Sequence, residues 1–261
     1  MKTWITPDEA IEAIGRGSGK GVKVAVLDSG IEARHPALAG LELADDIAVV
    51  ADGMKLTQVF GGGRDLFGHG TAIASIIRAT APEAEIGSFR VLGEALSSRT
   101  AIILEGARLA IEKGYNILNC SLGCGVPEHV LRYKDWVDEA YVKGVHVVAA
   151  CNNSDFTRPE WPAFFTSVLT VNMARTEKDG DLYYRPGHLV EFAAAGVDVD
   201  VAWSGGAIKK VTGSSFAAPR VSGMLACLLS EQPGIAPLQA KALFHRLARP
   251  WTQSVGAFNC R

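Results

Sequence analysis

With 261 residues, 48% of them hydrophobic, the chain has enough apolar material for one compact α/β domain with a substantial core. Its 26 basic and 28 acidic residues leave a formal net charge of −2 without any basic cluster, so nothing directs it to nucleic acid. No apolar run is long enough to span a bilayer, and residues 1–7 lack the apolar core and cleavage pattern of a signal peptide.

Residues 22–27, Val-Lys-Val-Ala-Val-Leu, read as a buried strand that delivers Asp28 to its carboxyl end, the edge of an open α/β sheet where ligands bind. Gly61, Gly62 and Gly63 lack the Lys-Ser/Thr ending of a phosphate loop and read as a flexible surface loop. His69 stands between Gly68 and Gly70, immediately ahead of a helix expected over 71–79. Further strands are expected over 86–91, 116–120, 145–150 and 168–172, and further helices over 100–113, 130–143, 216–231 and 237–247, with Gly114 and Gly144 ending two of them. Such alternation predicts a mainly parallel sheet covered on both faces.

Gly213-Ser214-Ser215-Phe216-Ala217-Ala218-Pro219 places Ser215 on a small-residue turn before the 216–231 helix. The small neighbours admit a substrate backbone, and a helix N-terminus aims free amides and positive dipole at the serine oxygen. Each segment alone has an ordinary reading, a cap or a buried capping histidine. Together they give the chain order Asp28, His69, Ser215, which is that of subtilisin-type triads and not of chymotrypsin-type ones.

On these three motifs the chain resembles the subtilisin-like serine endopeptidases, the S8 peptidases. The resemblance extends to Asn119-Cys120-Ser121-Leu122-Gly123, similar to the family's substrate-binding strand, and to the run 147–153, similar to the strand leading to its oxyanion-hole asparagine. It implies a three-layer α/β fold with a mainly parallel central sheet, a single peptidase domain over 1–261, and peptide hydrolysis through an acyl-enzyme. Ser215 would be the nucleophile, His69 the base, Asp28 its orienting acid and Asn153 the oxyanion donor, with Asn152 standing where the family has glycine. Ser121, Leu122 and Gly123 would pair with substrate on one side, and residues near Leu96 and Ser97 on the other. Ala150 and Cys151 would help wall the primary pocket.

Departures from the family pattern lead to further expectations. The helix after His69 lacks the insertion that holds a tight calcium ion in secreted relatives, so no metal or cofactor is expected and a chelator should leave stability unchanged. Only 27 residues precede Asp28, so no separate prodomain is expected, leaving unaided folding, a removed prosegment, or a separate folding or substrate-recruiting partner. Five cysteines, Cys120, Cys124, Cys151, Cys227 and Cys260, are odd in number and without metal-ligand spacing, which fits reduced thiols in a cytoplasm. Cys120 and Cys227 read as core residues, whereas Cys124 and Cys151 are expected to narrow the primary pocket. Arg220 replaces a usual histidine and Ser214 a usual threonine. The competing class is a catalytically silent peptide-binding or scaffold protein on the same fold.

Overall fold

The computed structural model describes residues 4–53 and 55–251; of the cysteines, Cys260 lies outside them. The chain opens with α1 (Pro7–Arg16), whose start is a capping box in which Thr6 Oγ1 accepts from Glu9 N while the Glu9 carboxylate accepts from Thr6 N. Then come β1 (Lys23–Asp28), β2 (Asp46–Asp52), β3 (Lys55–Phe60), α2 (His69–Thr80), β4 (Glu85–Arg90), α3 (Thr100–Glu112), β5 (Ile117–Cys120), α4 (Val130–Val142), β6 (His146–Ala150) and β7 (Leu169–Ala174). The C-terminal part adds β8 (Leu182–Tyr184), β9 (Phe192–Ala195), β10 (Val199–Trp203), β11 (Ala207–Val211), α5 (Ser214–Glu231), α6 (Pro237–Leu247) and β12 (Arg249–Pro250).

Ten strands form one sheet in the order β12-β8-β9-β7-β6-β5-β1-β4-β2-β3, and β10 and β11 form a separate hairpin. Within the large sheet β2–β3 and β8–β9 pair antiparallel and the other pairs run parallel. Period-two alternation divides the core into two layers. Val24 and Val26 of β1 join the cluster beneath α1, α2, α5 and α6, whereas Ala25 and Leu27 join the one beneath α3 and α4. Strands so enclosed have no polar face, which is why β1, β5, β6 and β7 read as apolar runs.

The expected α/β class and mainly parallel, helix-flanked sheet are what the chain forms. Gly114 and Gly144 take φ of 74° and 73° just past α3 and α4, the left-handed closure expected there. The loop at Gly61–63 is a correction, because it is tied down: Gly63 N donates to Asp46 Oδ2 at 2.6 Å, and the Gly61 carbonyl accepts from Arg90 at 3.1 Å.

After β1 the chain builds one side of the sheet through β4 and then crosses to the other side at β5. The carboxyl ends of β1, β5 and β6 therefore face a crevice at the point where strand order reverses, the place where such sheets bind ligands. Among the described residues no helix is long and apolar enough to cross a membrane.

Candidate active site

Asp28 ends β1 and is fully buried; His69 begins α2 and is 6% exposed. The imidazole Nδ1 lies 2.8 Å from Asp28 Oδ1 and 2.9 Å from Oδ2. Contact this close requires the first turn of α2 to press onto the loop after β1. Gly70 permits it, since a Cβ there would lie 2.0 Å from the Gly30 carbonyl oxygen. The His69 ring also packs on Phe216, centroids 5.3 Å apart. Burial acts to lower the His69 pKa, but the charge of Asp28, its hydrogen bond and the charge of Asp65 together hold it above the usual histidine value.

Asp65 is a part of the site that the motifs did not show. Its Oδ1 accepts from Ser29 Oγ at 2.7 Å, Phe67 N at 3.0 Å and Gly68 N at 2.8 Å; its Oδ2 accepts from Thr71 N at 2.8 Å and Thr71 Oγ1 at 2.6 Å. Gly68 supplies no side chain to cap α2, so Asp65 performs that task from the preceding loop. Through Ser29, whose amide donates to Asp28 Oδ1 at 2.8 Å, the same carboxylate ties the helix start to the Asp28 turn.

Ser215 lies inside the first turn of α5, which begins at Ser214, ahead of the expected helix start. Pro219 explains how this turn is held. Having no N–H, it leaves the Ser215 carbonyl without the helical donor four residues on, and Ser121 Oγ donates to that carbonyl at 3.0 Å. Asn119 Nδ2 donates to Ser121 Oγ at 3.0 Å and Ser222 Oγ to Asn119 Oδ1 at 2.9 Å, so buried polar bonds clip the end of β5 to α5. Ser215 Oγ itself points toward the Ser121 carbonyl at 3.5 Å. Ser214 locks the turn to β6, its Oγ donating to the Cys151 carbonyl at 2.7 Å.

Asn153 is exposed at the site, with Oδ1 accepting from Ser214 N at 2.8 Å. Asn152 points elsewhere: Oδ1 accepts from Ser154 N and Asp155 N, both at 2.9 Å, and Nδ2 donates to Glu160 Oε1 at 2.6 Å. Of the two asparagines, Asn153 is thus the one whose side chain meets the Ser215 turn.

Two adjoining pockets meet at Ser215. One is lined by Ser121, Leu122, Gly123, Ala150 and Cys151 together with Asn153 and Glu160; the other runs from His69 past Leu96 and Ser97 to Cys124. All the expected substrate-contacting residues thus border one cleft. Cys124 is a correction, since it lines the second pocket and leaves the first to Cys151; its thiol lies 3.7 Å from His129 Nδ1. Around Leu96 the chain makes a turn, with Leu96 at φ 51° and its amide donating to the Gly93 carbonyl at 3.0 Å, so no strand faces 121–123 from that side. Cys120 and Cys227 are core residues, as expected. Arg220 is buried and pairs with Asp179 at 3.0 Å.

The helix after His69 runs without insertion from His69 to Thr80, and β4 follows at Glu85. Asp45 pairs with Lys113 at 2.9 Å and Asp46 holds Gly63, so the acids of this region serve separate contacts. Among the described residues no cluster of three or more His, Cys, Asp or Glu could hold a metal ion.

The sequence profile of the subtilase family, peptidase S8, matches residues 19–257. Subtilisin Savinase from Lederbergia lenta is 31% identical over 243 residues, 89% of this chain and 86% of its own. Subtilisin DY from Bacillus licheniformis is 29% identical over 236 residues, 85% of this chain and 82% of its own. Among solved structures, a cold-adapted subtilisin-like serine proteinase superposes with a TM-score of 0.72 at 27% identity, covering 88% of this chain and 83% of its own.

Proposed function

The chain belongs to the subtilase family and is a serine endopeptidase; from that premise we propose that Asp28, His69 and Ser215 are its catalytic triad and Asn153 its oxyanion donor. The observation that carries this reading is the contact of both Asp28 oxygens with His69 Nδ1, at 2.8 and 2.9 Å, in the cleft that Ser215 also lines. A carboxylate only accepts, so Nδ1 holds the proton and Nε2 is left as the base. Hydrogen bonds to a nucleophile are commonly loose in an unliganded site. Once substrate enters, Ser215 Oγ turns from the Ser121 carbonyl to Nε2, gives up its proton and attacks the scissile carbonyl. The imidazolium, stabilised by Asp28, then protonates the leaving amine, and water repeats the sequence on the acyl-enzyme.

The oxyanion would sit between Asn153 Nδ2 and the Ser215 amide, one of the first-turn N–H groups of α5 that has no acceptor within the helix. The substrate is an extended peptide or protein segment, paired along one side with 121–123. A dedicated peptide-processing role and general degradation would both use this site, and Glu160 in the pocket wall bears on which side chains it accepts.

A fluorophosphonate probe tests the reading. It should label the protein at Ser215, and Ser215→Ala should abolish both labelling and peptide hydrolysis while melting as before. Hydrolysis retained by a homogeneous Ser215→Ala preparation would overturn the triad. A folded, unlabelled wild-type protein would favour the silent peptide-binding alternative.

A further inference from the structure

We propose that Glu160 makes this peptidase selective for lysine or arginine on the acyl side of the scissile bond. The inference rests on Ser215 being the nucleophile and adds a substrate class that neither the motifs nor the pocket's small residues disclosed.

The pocket between 121–123 and 150–154 has a volume of about 260 Å³ and Ser215 at its edge. Glu160 is the one charged side chain among its lining residues. Its place is fixed by the backbone: Cys124 and Trp161 exchange two N–H···O bonds, each 2.9 Å, which clamp the segment bearing Glu160 against the wall at 123–125. Gly123 leaves the space the carboxylate occupies, since a Cβ there would lie 2.8 Å from Glu160 Oε2.

One carboxylate oxygen is already engaged. Oε1 accepts from Asn152 Nδ2 at 2.6 Å, and Asn152 is itself held by the Ser154 and Asp155 amides. Among the described residues Oε2 has no hydrogen-bond donor, and the carboxylate has no ion-pair partner. Filling this half-buried pocket with an apolar side chain would strip water from Oε2 and return nothing to it. A lysine ammonium or arginine guanidinium returns a charge-assisted hydrogen bond, and its aliphatic stem can lie along the walls at Leu122 and Ala150. The opposing reading is that Glu160 merely props Asn152 and thereby the turn carrying Asn153.

Peptides identical except at the residue before the scissile bond separate the two. For wild type, kcat/KM on Lys and Arg peptides should exceed that on the Leu peptide by about 10- to 100-fold, the scale of one charge-assisted hydrogen bond. Glu160→Gln should collapse the Lys-to-Leu ratio, and Glu160→Lys should shift preference toward a Glu peptide. Equal losses on every peptide, or a wild type that prefers Leu, would overturn the assignment. Calorimetric binding of product peptides ending in Lys or Leu to Ser215→Ala gives a readout free of catalysis. A Lys preference that Glu160→Gln removes would uphold the pocket even where fluorophosphonate labelling failed, and its absence alongside normal labelling would refute the pocket while leaving the triad intact.

Discussion

Asp65 offers the sharpest test of how the site is held. In Asp65→Asn the remaining oxygen can keep the Oδ1 contacts to Ser29, Phe67 and Gly68, whereas the new NH₂ replaces the oxygen that accepts from Thr71 N. Thr71 Oγ1 can rotate to accept, as it already does from Glu32 N at 2.9 Å, but its amide cannot. One fully buried donor at the start of α2 is therefore stranded, at a cost of about 1–3 kcal/mol. For a domain of this size that is on the order of 2–10 °C in Tm, measurable by thermal shift. A second consequence separates this from a simple loss of packing. The Asp65 charge helps hold the His69 pKa up, so its removal should move the acid limb of kcat/KM to lower pH. In wild type that limb should lie above the ordinary histidine value of about 6.5, because only the neutral imidazole can accept the serine proton. The linked stability has the opposite slope: a raised histidine stabilises the fold fully below the unfolded-chain pKa and loses that stabilisation as pH rises through the folded one. An unchanged Tm together with an unmoved limb in Asp65→Asn would refute the assigned role.

Asn153→Ala should cut turnover by roughly two to three orders of magnitude with little change in KM, and Asn153→Asp should do likewise while keeping an oxygen for Ser214 N; Asn152→Ala should act mainly on KM, and the reverse ranking would displace the oxyanion assignment. His146 has its pKa pushed down to about 4 by burial, although its bond to the Ile235 carbonyl opposes this, so the unfolded chain takes up a proton first as pH falls. Stability should fall between about pH 6.5 and 4 by about 3 kcal/mol, and urea titrations at several pH values should show a flatter profile for His146→Gln. A maleimide should modify Cys124 ahead of Cys120, Cys151 and Cys227, whose thiols burial pushes up, to about 12 for Cys151 and about 11 for Cys227; the adduct in the cleft should raise KM, and peptide maps showing Cys151 modified first would contradict the buried wall.

What could be read from the sequence was local. Asp28, His69 and Ser215 each stand at a junction between an apolar run and small residues, and the enclosed strands have no polar face to blur their pattern. The capping box at Thr6 and Glu9 was equally local and marks a helix that the expected elements omitted. The β2–β3 hairpin was harder to see, because β3 lies at the sheet edge with most of its residues exposed and shows no apolar run. Asp65 and Glu160 were out of reach for a different reason. Each sits in a loop without periodicity, and its meaning comes from partners that only the fold supplies: Ser29, 36 positions from Asp65, and Gly123, far earlier in the chain than Glu160.

Pro219 joins the two kinds of information. From the sequence it is a proline within an expected helix, a local fault. In the fold, the donor it lacks frees the Ser215 carbonyl for Ser121 Oγ, and the bonds through Asn119 to Ser222 return to the same helix two residues after Arg220. The turn carrying Ser215, the proposed nucleophile, is thus positioned by β5 as much as by its own helix. The Asn119 side chain bridges Ser121 and Ser222, so its substitution should loosen Ser121, proposed to pair with substrate, and Ser215 together.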